Sequence, residues 1–166
     1  MKKIFCLSLL ILIYTNISAQ TFQWVNTGGG KDTDETYSAA FDTSGNVYIT
    51  GLFSDTALIA GTTYISDGGT DMFSAKYSSS GSNVWVNRGG GFSNSGGHVI
   101  AVDNNANVYV AGEFEDTVTI GTATLISSGL SDIFLAKYDN TGMFQWAVKA
   151  GGSGKQVASS IRTDAG

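Results

Sequence analysis

An all-β fold built from repeated four-stranded antiparallel sheets is predicted, and three observations carry the prediction. The sequence repeats every 61 residues without a gap: Trp24, Trp85 and Trp146 fall in register, as do Asp42, Asp103 and Asp164. Stretches 22–82 and 83–143 share 26 identities over 61 aligned positions, including Asp71-x-Phe73-x-Ala75-Lys76-Tyr77 and Asp132-x-Phe134-x-Ala136-Lys137-Tyr138. Apolar residues alternate instead of recurring every third or fourth position, which is the period of a pleated strand. Finally, 22 glycines and no proline accompany an apolar content of 42%, too high for a disordered chain, so the glycines act as punctuation. A period of this size denotes stacked units that bury their apolar faces against one another instead of forming separate cores.

The elements follow in order. Residues 1–20 carry Lys2 and Lys3, an apolar run from Ile4 to Tyr14 and small residues ending at Ala19-Gln20. This is the layout of a cleaved export signal, and the run falls short of the roughly 20 residues that cross a membrane. Cleavage is expected near Ala19 or Gln20, leaving a chain secreted or held at the cell surface. An outer strand is expected over 22–27 around Trp24. Unit one then spans 36–88 and unit two 97–149, with the start of a third at 157–166. In each unit a short buried strand (36–42 or 97–103) turns through Asp42–Asn46 or Asp103–Asn107, where Asp, Asn and Gly tolerate positive φ. The second strand is Asn46–Phe53 or Asn107–Phe114, apolar on both faces and therefore covered on both. A small accessory hairpin at Thr56–Ser66 or Thr117–Ser127 follows, then strands at Asp71–Tyr77 and Asp132–Tyr138, and lastly the tryptophan strands Asn83–Arg88 and Phe144–Lys149. No helix is expected outside the leader.

Four antiparallel strands repeated with glycine-rich connections describe one blade of a β-propeller. Roughly four to eight blades close a ring, while residues 21–166 hold two periods and the opening of a third. The expectation is therefore an incomplete propeller whose remaining blades belong to a longer chain. The tryptophan strand, the Gly-Gly-Gly stretch, the Asp-x-x-Gly-Asn-Val-Tyr-x-x-Gly run at Asp42–Gly51 and the Asp-x-Phe-x-x-Lys-Tyr strand together resemble the bacterial seven-bladed β-propeller repeat family. The resemblance covers nearly all of the expected mature chain; Ala106 departs from it where the first unit has Gly45. It implies a non-enzymatic module for binding or structural roles at the bacterial surface or outside the cell.

Composition excludes several chemistries. Cys6 lies in the leader, so the mature chain has no thiol and no disulfide. Without Lys2 and Lys3 it has 7 basic against 14 acidic side chains, a balance that repels phosphate backbones, so nucleic acid is not expected as a partner. The triplets Gly28–Gly30 and Gly89–Gly91 precede no helix and read as connections between blades near the axis, not as a phosphate cradle. Asp103-x-Asn105-x-Asn107 opens like a calcium loop, but Val108 stands where glycine is needed and Phe114 where a bidentate Glu is needed, so a turn is the reading and no metal is assigned. No serine sits in a nucleophile elbow, and the single His98 has Tyr37 as its equivalent, so no catalytic residue and no cofactor are assigned.

The acidic run Asp32-Thr-Asp34-Glu35 has no counterpart in Ser93–Gly96. Repeats vary where function is free to differ, so Asp32, Asp34, Glu35 and His98 form the candidate binding rim. The repeated aromatics are expected to pack between blades. The partner is an unassigned protein or glycan, and no membrane span is expected. Two alternatives stay open: a lyase or hydrolase propeller whose catalytic residues lie in further blades, and a lectin-like propeller.

Overall fold

The computed structural model describes residues 23–164, so the expected leader over 1–20 lies outside the described residues. It is all-β. A two-residue strand β1 (Gly29–Gly30) precedes unit one, which comprises β2 (Asp34–Phe41), β3 (Val47–Ile59), β4 (Thr62–Tyr77) and β5 (Asn83–Gly90). Unit two comprises β6 (Ser95–Val102), β7 (Val108–Phe114), β8 (Thr117–Ile120), β9 (Ala123–Ile126), β10 (Asp132–Tyr138) and β11 (Phe144–Ala150). All strand pairings are antiparallel, in the order β2-β3-β4-β5 and β6-β7-β10-β11. The sheets do not close on themselves among the described residues.

The Asp–Asn turns are built alike in both units. Asp42 Oδ1 accepts from the amides of Ser44 (2.9 Å) and Asn46 (3.0 Å), while Oδ2 accepts from Asn46 Nδ2 (2.7 Å) and Tyr48 Oη (2.9 Å). Asp103 takes the same four bonds, from Asn105, Asn107 and Tyr109. Burial acts first on both carboxyls and pushes them up, but this donor set outweighs it and holds each below the usual carboxylate range. Oxygens filled by N–H and O–H donors form a clamp that fixes the hairpin and aims the tyrosine.

The accessory hairpin is where the structure departs from the sequence reading. In unit one it is no separate element, because β3 and β4 run on into it; in unit two it is β8 and β9. Asp55 and Asp116, at φ 53° and 52°, supply the bend, since Asp tolerates the left-handed region. The hairpin then pairs with the preceding tryptophan segment: Gly29 and Gly30 face Leu58 and Ala57, and Gly89 and Gly90 face Ile120 and Thr119. The glycine triplets therefore end in ladders and clasp successive units, rather than serving only as connections. A Cβ on Gly30 would lie 1.9 Å from Thr56 O, and one on Gly91 2.1 Å from Thr117 O. Only glycine permits that approach.

Two further expectations are corrected. Over the described part of 22–27 no ladder forms; the segment is held instead by Trp24 Nε1 donating to Ser79 O (3.1 Å) and Asn26 Nδ2 donating to Gly81 O (2.7 Å). Residues 157–164 form no strand either. They follow a single parallel bridge between Ser131 and Lys155. In both places the neighbouring strand that would complete a ladder is missing among the described residues.

The larger core cluster lies between the units, and a smaller one, of Phe53, Ala57, Ile59 and Phe73, lies within unit one. β6 packs across β2, β3 and β4, and one cluster joins Tyr48 and Met72 of unit one to Val108, Val110, Phe114, Phe134 and Tyr138 of unit two. Each fully buried side chain of this kind contributes about 1.5–3 kcal/mol.

Candidate functional site: a rim across the unit junction

Because β6 crosses the inner strands of unit one, residues of β2, β6 and β7 that are far apart in sequence meet at one end of the junction. Tyr37 projects from β2 and is 47% exposed. Its ring lies 5.1 Å from that of His98 on β6, tilted by 40°. His98 Nε2 stands 3.8 Å from Glu113 Oε1 on β7, and Glu113 Oε2 lies 3.5 Å from Lys155 Nζ and 3.5 Å from the Ser131 hydroxyl, which donates to it. The Tyr37 phenol is pushed up to about 12, first by donating its proton to Glu35, then by burial and by the charges of Glu35 and Glu113. It is a hydrogen-bond donor, not a phenolate.

The four expected rim residues separate. Glu35 and His98 are brought together, with Tyr37 between them. Asp34 turns back into its own loop, where Oδ2 accepts from the Gly30 amide and holds the entry to β2. Asp32 lies apart, in an open depression shared with Asp55, Ser66 and Asp67. The residues that sequence reading missed are Tyr37 and Glu113. Each stands where the units differ, Tyr37 against His98 and Glu113 against Leu52, and that divergence was the signal available.

The cleft beside His98 and Glu113 has a volume of about 30 Å³, room for a water or two and far below the roughly 300–1,000 Å³ of small-molecule sites. Ser95, on its wall, is 3% exposed and its hydroxyl is engaged with Thr70 O, Gly89 O and the Met72 amide. The arrangement can present carboxylates, an imidazole and a phenol to a surface laid against it, but it cannot enclose a substrate.

Elsewhere the same kind of polar contact holds the fold. Asp71 and Asp132 are both 0% exposed and reach the Arg88 guanidinium at 3.1 Å and the Lys149 ammonium at 3.2 Å. Among the described residues no group of three or more His, Cys, Asp or Glu has metal-binding geometry, and no helix is long and apolar enough to cross a membrane.

No family model matches the chain. It is 28% identical over 142 residues to an uncharacterized WD repeat-containing protein of Acanthamoeba polyphaga mimivirus, an alignment that covers 75% of this chain and 10% of that protein. The chain thus spans about a tenth of that relative's length. Internal repeat, stacked antiparallel sheets and this distant likeness agree on an all-β repeat protein of propeller-like build.

Proposed function

We propose that this chain is a propeller-type binding or scaffold module, exported by its leader and acting without chemistry of its own, with the rim of Tyr37, His98 and Glu113 as its contact surface. One observation supports this reading above the rest: the rim is assembled from both units, yet at positions where the units differ, while the residues they share serve packing and turns. A repeat scaffold keeps what folds it and varies what recognises a partner. The WD-repeat name of the distant relative points the same way. Membership of the seven-bladed repeat family at a bacterial surface is the finer form of the reading and rests on the motifs alone.

A protein surface is favoured over a glycan, because the cleft is too small for a sugar ring and Glu35 and Glu113 offer acceptors to lysine or arginine. The immobilised chain should capture basic peptides from a peptide array, and His98→Ala with Glu113→Gln should weaken that capture about tenfold or more, while Asp32→Asn leaves it unchanged. Capture insensitive to the double variant, or confined to a glycan array, sinks the reading. N-terminal sequencing of protein recovered from the medium should begin near Thr21; a product retaining Met1 in the cells removes the export part.

A further inference from the structure

His98 is the single histidine of the chain, and its imidazole stands at the rim with room to change partners. Nε2 faces Glu113 Oε1 at 3.8 Å, beyond hydrogen-bond length. The other oxygen of Glu113 is held as loosely, by the Ser131 hydroxyl and the Lys155 ammonium, both at 3.5 Å. The carboxylates of the turns are held otherwise: Asp42 takes four donors at 2.7–3.0 Å. Glu113 is therefore a half-used acceptor, placed where the rim would meet the cation of a basic partner.

The charged groups around the ring come from several elements. From β2 come Tyr37, whose ring lies 5.1 Å away, and Glu35, to which the Tyr37 phenol donates. β7 supplies Glu113, and Glu115 follows it, with one oxygen held by Asn94 Nδ2 at 3.0 Å. β3 and β4 line the same cleft with Leu52 and Thr70, which carry no charge. Lys155 reaches Glu113 from beyond β11. A neutral imidazole leaves Glu113 open to an outside ammonium or guanidinium. A protonated one turns the 3.8 Å contact into an ion pair, with the Tyr37 ring within cation–π distance.

We propose that His98 is a proton switch on the rim: uptake of one proton draws Glu113 to the imidazole, sets a positive charge beside it and lowers the affinity for a basic partner. The switch rests on the reading of this rim as a contact surface for basic peptides. Two causes act in the same direction, the loss of an acceptor and the repulsion between like charges. A cationic segment is thus held at neutral pH and released in mildly acidic surroundings.

Fluorescence anisotropy of a labelled oligolysine peptide at low salt, from pH 8 to pH 5.5, tests the switch, because imidazoles change charge in this range while carboxylates and amines ordinarily do not. Affinity should fall about threefold to fivefold, the size of one partly exposed ion pair. The fall should vanish in His98→Gln and His98→Asn, whatever affinity those variants keep. The Asp71 carboxyl, raised by burial, and the Tyr37 phenol, pushed up to about 12, are common to wild type and variants, so neither can imitate the difference. Carbon-13 NMR gives a reading that needs no peptide: the Glu113 carboxyl signal should move in step with the ring signals of His98. A peptide that binds equally at both ends of the range, or a fall that persists in both variants, overturns the switch and leaves the rim as a contact surface. A Glu113 signal that ignores the imidazole overturns the switch as well. A peptide that binds at neither pH, or whose binding is unchanged by Glu113→Gln, overturns the rim reading and the switch with it.

Discussion

Strands β2 and β6 occupy the same position in their units, yet β2 is mostly exposed and β6 mostly buried. Their partners explain the difference. β6 lies across the sheet of unit one, whereas β2 has no preceding sheet among the described residues. The tryptophans repeat the lesson in reverse. Trp85 is half-buried between Tyr48 and Tyr138, at ring distances of 6.0 and 6.5 Å, while Trp146, from the same place in unit two, is 39% exposed. For these elements burial is decided at the junction between units, beside a smaller cluster of Phe53, Ala57, Ile59 and Phe73 that unit one holds by itself. A stacked repeat is stabilised by neighbour interfaces on top of whatever each unit holds alone.

The largest effect is expected at the junction itself. Phe114 is 0% exposed in the cluster shared by both units, and Phe114→Ala should cost about 3–5 kcal/mol, measured by chemical denaturation. A loss under about 1 kcal/mol would mean that the units do not rest on each other through this residue.

The tryptophans give the next contrast. Trp85→Ala should cost about 3 kcal/mol and Trp146→Ala, at an exposed edge, about 1 kcal/mol or less. Equal losses would mean that the flank of unit two is covered as well as that of unit one.

The smallest effect is expected at the turns that the two units share. Asp42 and Asp103 are both held below their ordinary value by the turn clamp. A depressed carboxyl adds stability that is present above its unfolded value and is lost as pH falls through its folded value. Asp103→Asn should therefore lower the melting temperature modestly at neutral pH, with the gap closing as pH drops below the ordinary carboxylate range of roughly 4. Asp42→Asn should behave alike. A gap that stays constant with pH would show that the clamp does not act through charge.

Equivalent positions diverge electrostatically where their neighbours change. Burial pushes the Asp71 carboxyl up; the Asp67 carboxylate adds to the rise, against the pull of the Asp67 amide and Arg88. At Asp132, burial pushes the same way, yet the Ser128 amide and Lys149 outweigh it and hold the group down, with Ser128 standing where unit one has Asp67. Two neighbours differ between these sites, Asp67 against Ser128 and Arg88 against Lys149, and the balance of burial against donors and charge changes sign.

Strands, turns and the repeat were legible in the sequence because they follow from local rules: side chains alternate with the pleat, and Asp-x-x-x-Asn closes a turn over four residues. The hairpin clasp was not legible, because Gly89 and Ile120 belong to different units and no local pattern pairs them. The rim was half legible. Glu35 and His98 stood out by failing to repeat, but Asp34 offers the same signal and is used up by the Gly30 amide, while Tyr37 and Glu113 needed the crossing of β6 over β2 to become neighbours.

The sequence by itself determined the 61-residue unit, the order of its strands and the aspartate clamps of its hairpins, since each depends on residues close along the chain. The tertiary structure alone decided which of two identical side chains is covered, which glycines are pinned against a neighbouring backbone, and which unrepeated residues share an edge. Those outcomes depend on how one sheet lies on the next, and hydrophobic burial and close backbone approach act through space between residues that the chain keeps far apart.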